Sequence, residues 1–278
     1  MTPSPSSVRS SHQGPGLRHG RRAAWAGCAL LVLLTLPACD RDGGDGPWPG
    51  AAGGARGDLF ERASLADGSR LLVTTEGGVR IVGTDDESVR VDEATPARWD
   101  LDAATPTLDL LCDQGDKRTE DNCGGMRLVH VPAGITLTVR ARNAGIEVDG
   151  VHGELTLSTV NGDVTVHDSG TEGASQHLVT RNGSVRASGL AADGVSAETV
   201  NGDVDLLCTT APAALDGVTR NGSVRVTLPA GAPPYKTDAS TVNGRTVVDV
   251  PAPTAGSADH PRRLTLRTVN GDTEVHRG

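Results

Sequence analysis

The sequence predicts an all-β fold, a parallel β-helix or solenoid-like coil with rungs of about 20 residues, two short strands per rung and Asn-Gly bends. Three observations predict it. The pentapeptide TVNGD occurs at 159–163, 199–203 and 268–272, with TRNGS at 180–184 and 219–223 and TVNGR at 241–245. The asparagines fall at 161, 182, 201, 221, 243 and 270, so successive gaps are 21, 19, 20, 22 and 27. Each motif is flanked by strict apolar/polar alternation, the pattern of a half-buried strand. A period near 20 is the mark of stacked repeats that bury their apolar faces only against one another.

The first 38 residues stand apart from that fold. Residues 1–22 carry Arg9, Arg18, Arg21 and Arg22 and no acid, and an apolar run of 14 residues follows from Ala23 to Leu36. A spanning helix needs roughly 20 apolar residues, so the run reads as the core of an export signal. Leu36-Pro37-Ala38-Cys39 resembles a bacterial lipobox. The resemblance implies cleavage before Cys39, lipid on its thiol and anchorage at the extracytoplasmic face of the cell membrane. Arg21-Arg22 leaves the export route open between the general and twin-arginine systems.

Residues 39–57 form a Gly/Pro/Asp stalk in which Trp48 is the single large apolar side chain. Such a segment buries too little surface to offset the entropy of ordering. The solenoid is expected over 58–278, irregular over 58–150 and regular over 151–278. In the regular part the inward columns are Leu155 and Leu157, Gln176 and Leu178, Val195 and Ala197, Leu215 and Gly217, and Leu264 and Leu266 before the bend. After the bend they are Val164 and Val166, Val185 and Ala187, Val204 and Leu206, and Val224 and Val226. The bends fall at Asn161-Gly162, Asn182-Gly183, Asn201-Gly202, Asn221-Gly222, Asn243-Gly244 and Asn270-Gly271, where stacked amides can hydrogen-bond along the column.

Asn-Gly is also a strong hairpin signal, which makes an antiparallel hairpin array the rival fold. A second ambiguity is the rung length. TVNGD and TRNGS either alternate in one column of 20-residue rungs, or each stacks on itself in rungs of about 40. In the irregular part, strands are expected at Arg70–Thr74, Val79–Val82, Ser88–Val91, Leu108–Cys112, Met126–Val131, Ile135–Arg140 and Ile146–Val148, with Glu76-Gly77-Gly78 as a worn bend.

The export leader, the stretch VHVPAGITLTVRARNAGIEVDGVHGELTLSTVNGDVTV at 129–166 and the recurring NGDV and NGSV rungs together resemble a bacterial family of exported β-solenoid proteins grouped as adhesin-like and otherwise of unknown function. The resemblance covers about residues 68–277. It implies a binding or adhesion role and brings no catalytic residues.

Charge narrows the partners. Four of the 26 basic residues and none of the 35 acids precede Cys39, so cleavage there leaves 22 basic against 35 acidic residues, a formal charge of −13. Such a domain lacks the clustered cations that nucleic acid requires. Cys112 and Cys123 bracket a polar loop of ten residues and are expected to form a disulfide, while Cys208 reads as a small buried residue. No ligand spacing points to a metal, and no cofactor is expected. Asp163, Asp203 and Asp272 recur with the wrong period for calcium-binding repeats and read as turn carboxylates.

The expected function is a membrane-anchored interaction module, a lipoprotein of the cell envelope. Its expected partner is an envelope protein or a cell-wall polymer, engaged through a basic stripe of Arg181, Arg186, Arg220 and Arg225. Two alternatives are a glycan-active enzyme on a β-helix scaffold and a sensory or regulatory lipoprotein of envelope stress. The mature chain holds only Trp48, Phe60, Trp99 and Tyr235 as aromatic platforms for sugars, which weighs against the enzyme. Because the last motif ends at Gly278 with nothing after it, a homodimer through that end rung is also expected.

Overall fold

The computed structural model describes residues 64–92, 95–101, 103–112, 125–254 and 262–278. The leader and stalk, including Cys39, lie outside the described residues, as does Cys123. Among the described residues every regular element is a strand. The irregular part supplies β1 (Arg70–Thr75), β2 (Gly78–Thr84), β3 (Arg90–Val91), β4 (Ala97–Asp100), β5 (Thr107–Leu110), β6 (Met126–Pro132), β7 (Thr136–Arg140) and β8 (Ile146–Asp149). The regular part begins with β9 (Leu155–Ser158), β10 (Val164–His167), β11 (Ser175–Val179), β12 (Val185–Leu190), β13 (Gly194–Glu198) and β14 (Val204–Cys208). It ends with β15 (Ala214–Val218), β16 (Val224–Leu228), β17 (Tyr235–Asn243), β18 (Thr246–Val248), β19 (Arg262–Asn270) and β20 (Thr273–Arg277).

The strands form two ten-stranded sheets, ordered β17-β19-β15-β13-β11-β9-β7-β1-β5-β4 and β18-β20-β16-β14-β12-β10-β8-β2-β6-β3. Each rung gives one strand to each sheet, and successive rungs pair in parallel, for example Leu155 beside Gln176 and Val164 beside Val185. The antiparallel hairpin array is thereby excluded. Only β3 on β6 and β4 on β5 run antiparallel, at one end of the stack. Asn161, Asn182, Asn201, Asn221 and Asn270 bridge one to the next, so TVNGD stacks on TRNGS and the rung is the shorter one.

The inward columns are those the alternation predicts. Leu157, Leu178, Ala197, Leu264, Leu266, Val164, Val185, Val204 and Val224 are wholly buried, and Gln176 is buried with them. Gln176 is tolerated because its amide Nε2 donates to the Gly153 carbonyl at 3.2 Å, although its Oε1 has no hydrogen-bond partner.

Chain order and stacking order differ at both ends, which sequence order had not suggested. The β1–β2 rung lies between β5–β6 and β7–β8, and the β19–β20 rung is inserted between β15–β16 and β17–β18. Burial explains the second exchange. The inward places of β19–β20 hold Leu264, Leu266 and Val275, all buried, whereas the same register positions of β17–β18 hold Thr237, Ala239 and Val248. Reversing the two would bring three large apolar side chains to the open end, each worth about 1.5–3 kcal/mol when fully buried.

Gly278 therefore ends a rung that is covered on both sides, and the expectation of a free edge there is corrected: the edge belongs to β17 and β18. The opposite end is closed by β4, absent from the expected strands, whose Ala97 and Trp99 pack on the core. Two expected strands are shorter than predicted. Ser88–Val91 contracts to Arg90–Val91, and Leu108–Cys112 becomes Thr107–Leu110 with Cys112 beyond its end.

Candidate interaction surface

The bends between the two sheets line up as a ridge along the solenoid, and each letter of the motif has a job there. The Thr is buried and its hydroxyl donates to a backbone carbonyl of the preceding rung. Thr180 reaches Gly162 O, Thr199 reaches Gly183 O, Thr219 reaches Gly202 O and Thr268 reaches Gly222 O, all at 2.8 Å. The glycine is required by contact as well as by conformation. At Gly202 φ is +154°, and a Cβ would sit 2.0 Å from Gly183 O.

The asparagines are exposed and form one amide ladder. Each Nδ2 donates to the Oδ1 of the preceding rung: Asn182 to Asn161 at 2.9 Å, and Asn201 to Asn182, Asn221 to Asn201, Asn270 to Asn221 and Asn243 to Asn270 at 2.8 Å. No bend asparagine takes positive φ; Asp168 is the one non-glycine residue that does among those described. Asparagine is thus selected for its side chain and not for turn geometry.

The residue after each Gly forms a further column. In stacking order it runs Asp163, Ser184, Asp203, Ser223, Asp272, Arg245, a regular alternation that chain order hides. Each acidic or hydroxyl side chain accepts the backbone N–H of the next rung: Ser184 N to Asp163 at 2.8 Å, Asp203 N to Ser184 at 3.2 Å, Ser223 N to Asp203 at 2.7 Å, Asp272 N to Ser223 at 3.1 Å and Arg245 N to Asp272 at 2.8 Å. Alternating Asp with Ser keeps these acceptors in every rung and keeps carboxylates two strand spacings apart, ~9.6 Å. The Arg245 backbone N–H, then its guanidinium, holds the Asp272 carboxyl below its ordinary pKa.

The four arginines of the expected stripe occupy two different columns. Arg186 and Arg225 lie on the outer face of one sheet and are ion-paired, Arg186 to Asp163 at 2.7 Å and Arg225 to Asp205 at 3.3 Å and Glu274 at 3.7 Å. Arg181 and Arg220 lie on the ridge itself, between the buried Thr and the exposed Asn, and make no ion pair among the described residues. Asn143 and Arg142 belong to the same two ridge columns, and Asn161 Nδ2 donates to Asn143 Oδ1 at 3.2 Å. Sequence reading missed this bend because Ala141-Arg142-Asn143-Ala144-Gly145 lacks the Thr and separates Asn from Gly. The available signal was Arg142-Asn143 itself, which repeats the Arg-Asn of TRNGS.

A concavity of about 380 Å³ lies on the outer face of the sheet containing β12, lined by His167, Arg186, Ser188, Asp205, Leu207 and Arg225 among others. A bulge in β12 makes it, where the register against β14 shifts between Ala187 and Leu190 and Gly189 takes φ +70°. Ser188 Oγ and His167 Nδ1 are 2.8 Å apart there. Among the described residues no three His, Cys, Asp or Glu side chains converge to hold a metal ion. Cys208 is buried and free, and burial pushes its thiol up to about 12.

A family model for Toastrack DUF4097 matches residues 127–276. Among solved structures, the chain is similar to one described as "Crystal structure of a putative cell adhesion protein from Clostridium sporogenes ATCC 15579", at 12% identity over 77% of this chain and 94% of that one, with a TM-score of 0.36. No curated protein matches the chain. The matched residues run from β6 to β20 and take in every Asn-Gly bend, so the chain belongs to the Toastrack DUF4097 family.

Proposed function

We propose that the chain is a lipoprotein of the cell envelope, held at the extracytoplasmic face of the membrane by lipid on Cys39, whose solenoid binds an envelope protein or a cell-wall polymer. The observation that carries this reading is the ridge. Its exposed groups repeat in fixed register at the ~4.8 Å spacing of stacked strands, so weak contacts can recur along an extended partner and sum. The leader, the Leu36–Cys39 lipobox and the Gly-rich stalk support the anchorage, and the acidic balance disfavours nucleic acid. A Cys112–Cys123 bridge belongs to the same reading, as suits an oxidising compartment; Cys208 is the free thiol among the described cysteines and Cys112 is not.

A glycan-active enzyme calls for two carboxylates at a defined separation. The concavity beside the β12 bulge is lined by one, Asp205, and Arg225 is paired to it. Binding is therefore the reading we carry forward. Its test is crosslinking of the tagged full chain in the cell that makes it, with mass spectrometry of what is captured, beside fractionation of Cys39→Ser. A partner captured from the envelope and release of Cys39→Ser from the membrane are expected. Capture of nothing above an unrelated lipoprotein would remove the binding role, and a Cys39→Ser chain still held by the membrane would remove the anchor.

A further inference from the structure

Arg142, Arg181 and Arg220 stand in one ridge column and alternate there with Val160, Val200 and Val269, in the stacking order Arg142, Val160, Arg181, Val200, Arg220, Val269. All six are exposed, the valines at 38–40%. The arginines thus recur at every second rung, ~9.6 Å apart by the spacing of stacked strands. Their partners make the column unusual. The arginines of the neighbouring sheet face are neutralised by Asp163, Asp205 and Glu274, whereas these three have no ion pair among the described residues. In a chain with an excess of acids, three cations left unpaired at even intervals form a comb.

The groups beside the comb define what could lie on it. Each ladder amide uses one N–H and one lone pair along the column, which leaves its second N–H and second lone pair for a ligand. The valines between the arginines offer small apolar faces. Backbone groups of the ridge are already paired rung to rung, as in Gly162 N to Asn182 O, Gly183 N to Asn201 O and Gly202 N to Asn221 O at 2.9 Å, so the ridge offers no strand edge to a peptide. A lipid surface is disfavoured by the Asp163, Asp203, Asp272 column on the other side of the asparagines.

We propose, resting on the binding-module reading above, that this ridge binds an extended anionic polysaccharide carrying one acidic group per disaccharide. The arginines take the acidic groups, which recur at close to two rungs in an extended β-linked disaccharide polymer. The ladder amides take hydroxyls between them, and the valines meet the C–H faces of the rings. Each contact is exposed and individually weak, so affinity depends on several being made at once and falls with salt.

The test uses the full chain in an uncharged detergent, with hyaluronan as the probe with one carboxylate per disaccharide. Polygalacturonate, with one per monosaccharide, and neutral chitin oligomers serve as comparisons at matched sugar concentration. Hyaluronan is expected to bind best, with salt-dependent affinity that falls at least tenfold in the Arg142→Ser/Arg181→Ser/Arg220→Ser variant. The Arg186→Ser/Arg225→Ser variant keeps wild-type affinity, and thermal melts confirm that both variants fold. Absence of hyaluronan binding, an unchanged triple variant, or equal binding of polygalacturonate would each overturn the proposal. Envelope crosslinking of the triple variant separates this from the wider reading: a partner still captured leaves the binding module standing and removes only the comb.

Discussion

Asp272 Oδ1 accepts the backbone N–H of Arg245 at 2.8 Å, and its Oδ2 lies 3.3 Å from the Arg245 guanidinium, although Arg245 comes 27 residues earlier in the chain. The contact fastens the outermost rung, β17–β18, to the one inserted beneath it. The carboxyl's folded pKa is depressed, so its contribution is complete above the ordinary Asp value and is lost as pH falls through the folded one. Asp272→Ala is expected to speed hydrogen exchange over 235–248 at neutral pH while β9–β14 stay protected, and wild type is expected to show the same selective loss in acid. Uniform loosening of all rungs would refute the latch.

Gly202→Ala is expected to destabilise by on the order of 1–3 kcal/mol or more, since it combines φ +154° with a Cβ set 2.0 Å from a backbone oxygen that cannot turn aside. Gly231→Ala meets nothing within 4 Å and is expected to be neutral. Thermal melts of the two variants decide the matter, because a composition effect would act on both alike.

Thr199→Val keeps shape and burial but leaves Gly183 O without its 2.8 Å donor, and should cost about 1–3 kcal/mol by denaturant titration. Thr199→Ser keeps the donor and loses only a methyl group, so it is expected to be the milder change. If Val proved as stable as Thr, the recurring threonine would be packing and not hydrogen bonding.

How far the sequence disclosed all this depended on the range of each interaction. Period and alternation are written locally, so the rung, the inward columns and the amide ladder were legible from residues 151–278. The order of stacking was not. Placing β19–β20 beneath β17–β18 follows from comparing Leu264 and Leu266 with Thr237 and Ala239, a difference in burial that becomes visible only when both rungs compete for one place. The ion pairs were hidden for a related reason: Arg186 and Arg181 are five residues apart, yet the bend between them sends one to the sheet face beside Asp163 and leaves the other on the ridge.

Cys208 and Tyr235 are both held neutral by burial, each raised to about 12 from ordinary values of 9.0 and 10.0, and the Tyr235 hydroxyl donates to Pro212 O at 2.8 Å. Both shifts are upward, so the stability they contribute is complete below the ordinary values and is lost as pH rises from there towards 12. Denaturant titrations from pH 8 to 11 are expected to show falling stability, less steep in Cys208→Ala. Peptide mapping after alkylation at pH 8 should find Cys208 unlabelled in the native chain and labelled once it is unfolded, with Cys112 and Cys123 unlabelled until reduced. Native labelling of Cys208 would contradict its burial.

The free edge bears on self-association. β17 presents Lys236 and Asp238 along its outer side, and its inward places are Thr237, Ala239 and Thr241, all half-exposed, where the rung beneath has Leu264, Leu266 and Thr268. Edge charges and small polar inward residues are the features that keep an edge strand from pairing with a copy of itself. Sedimentation of the Cys39→Ser chain without its leader is therefore expected to give a monomer up to the highest soluble concentration. Lys236→Val/Asp238→Val/Thr237→Leu, which removes both features, is expected to dimerise. A dimer of the parent chain that persists in high salt and disappears when Val248 is changed to Glu would show that β17–β18 is an interface and not a cap.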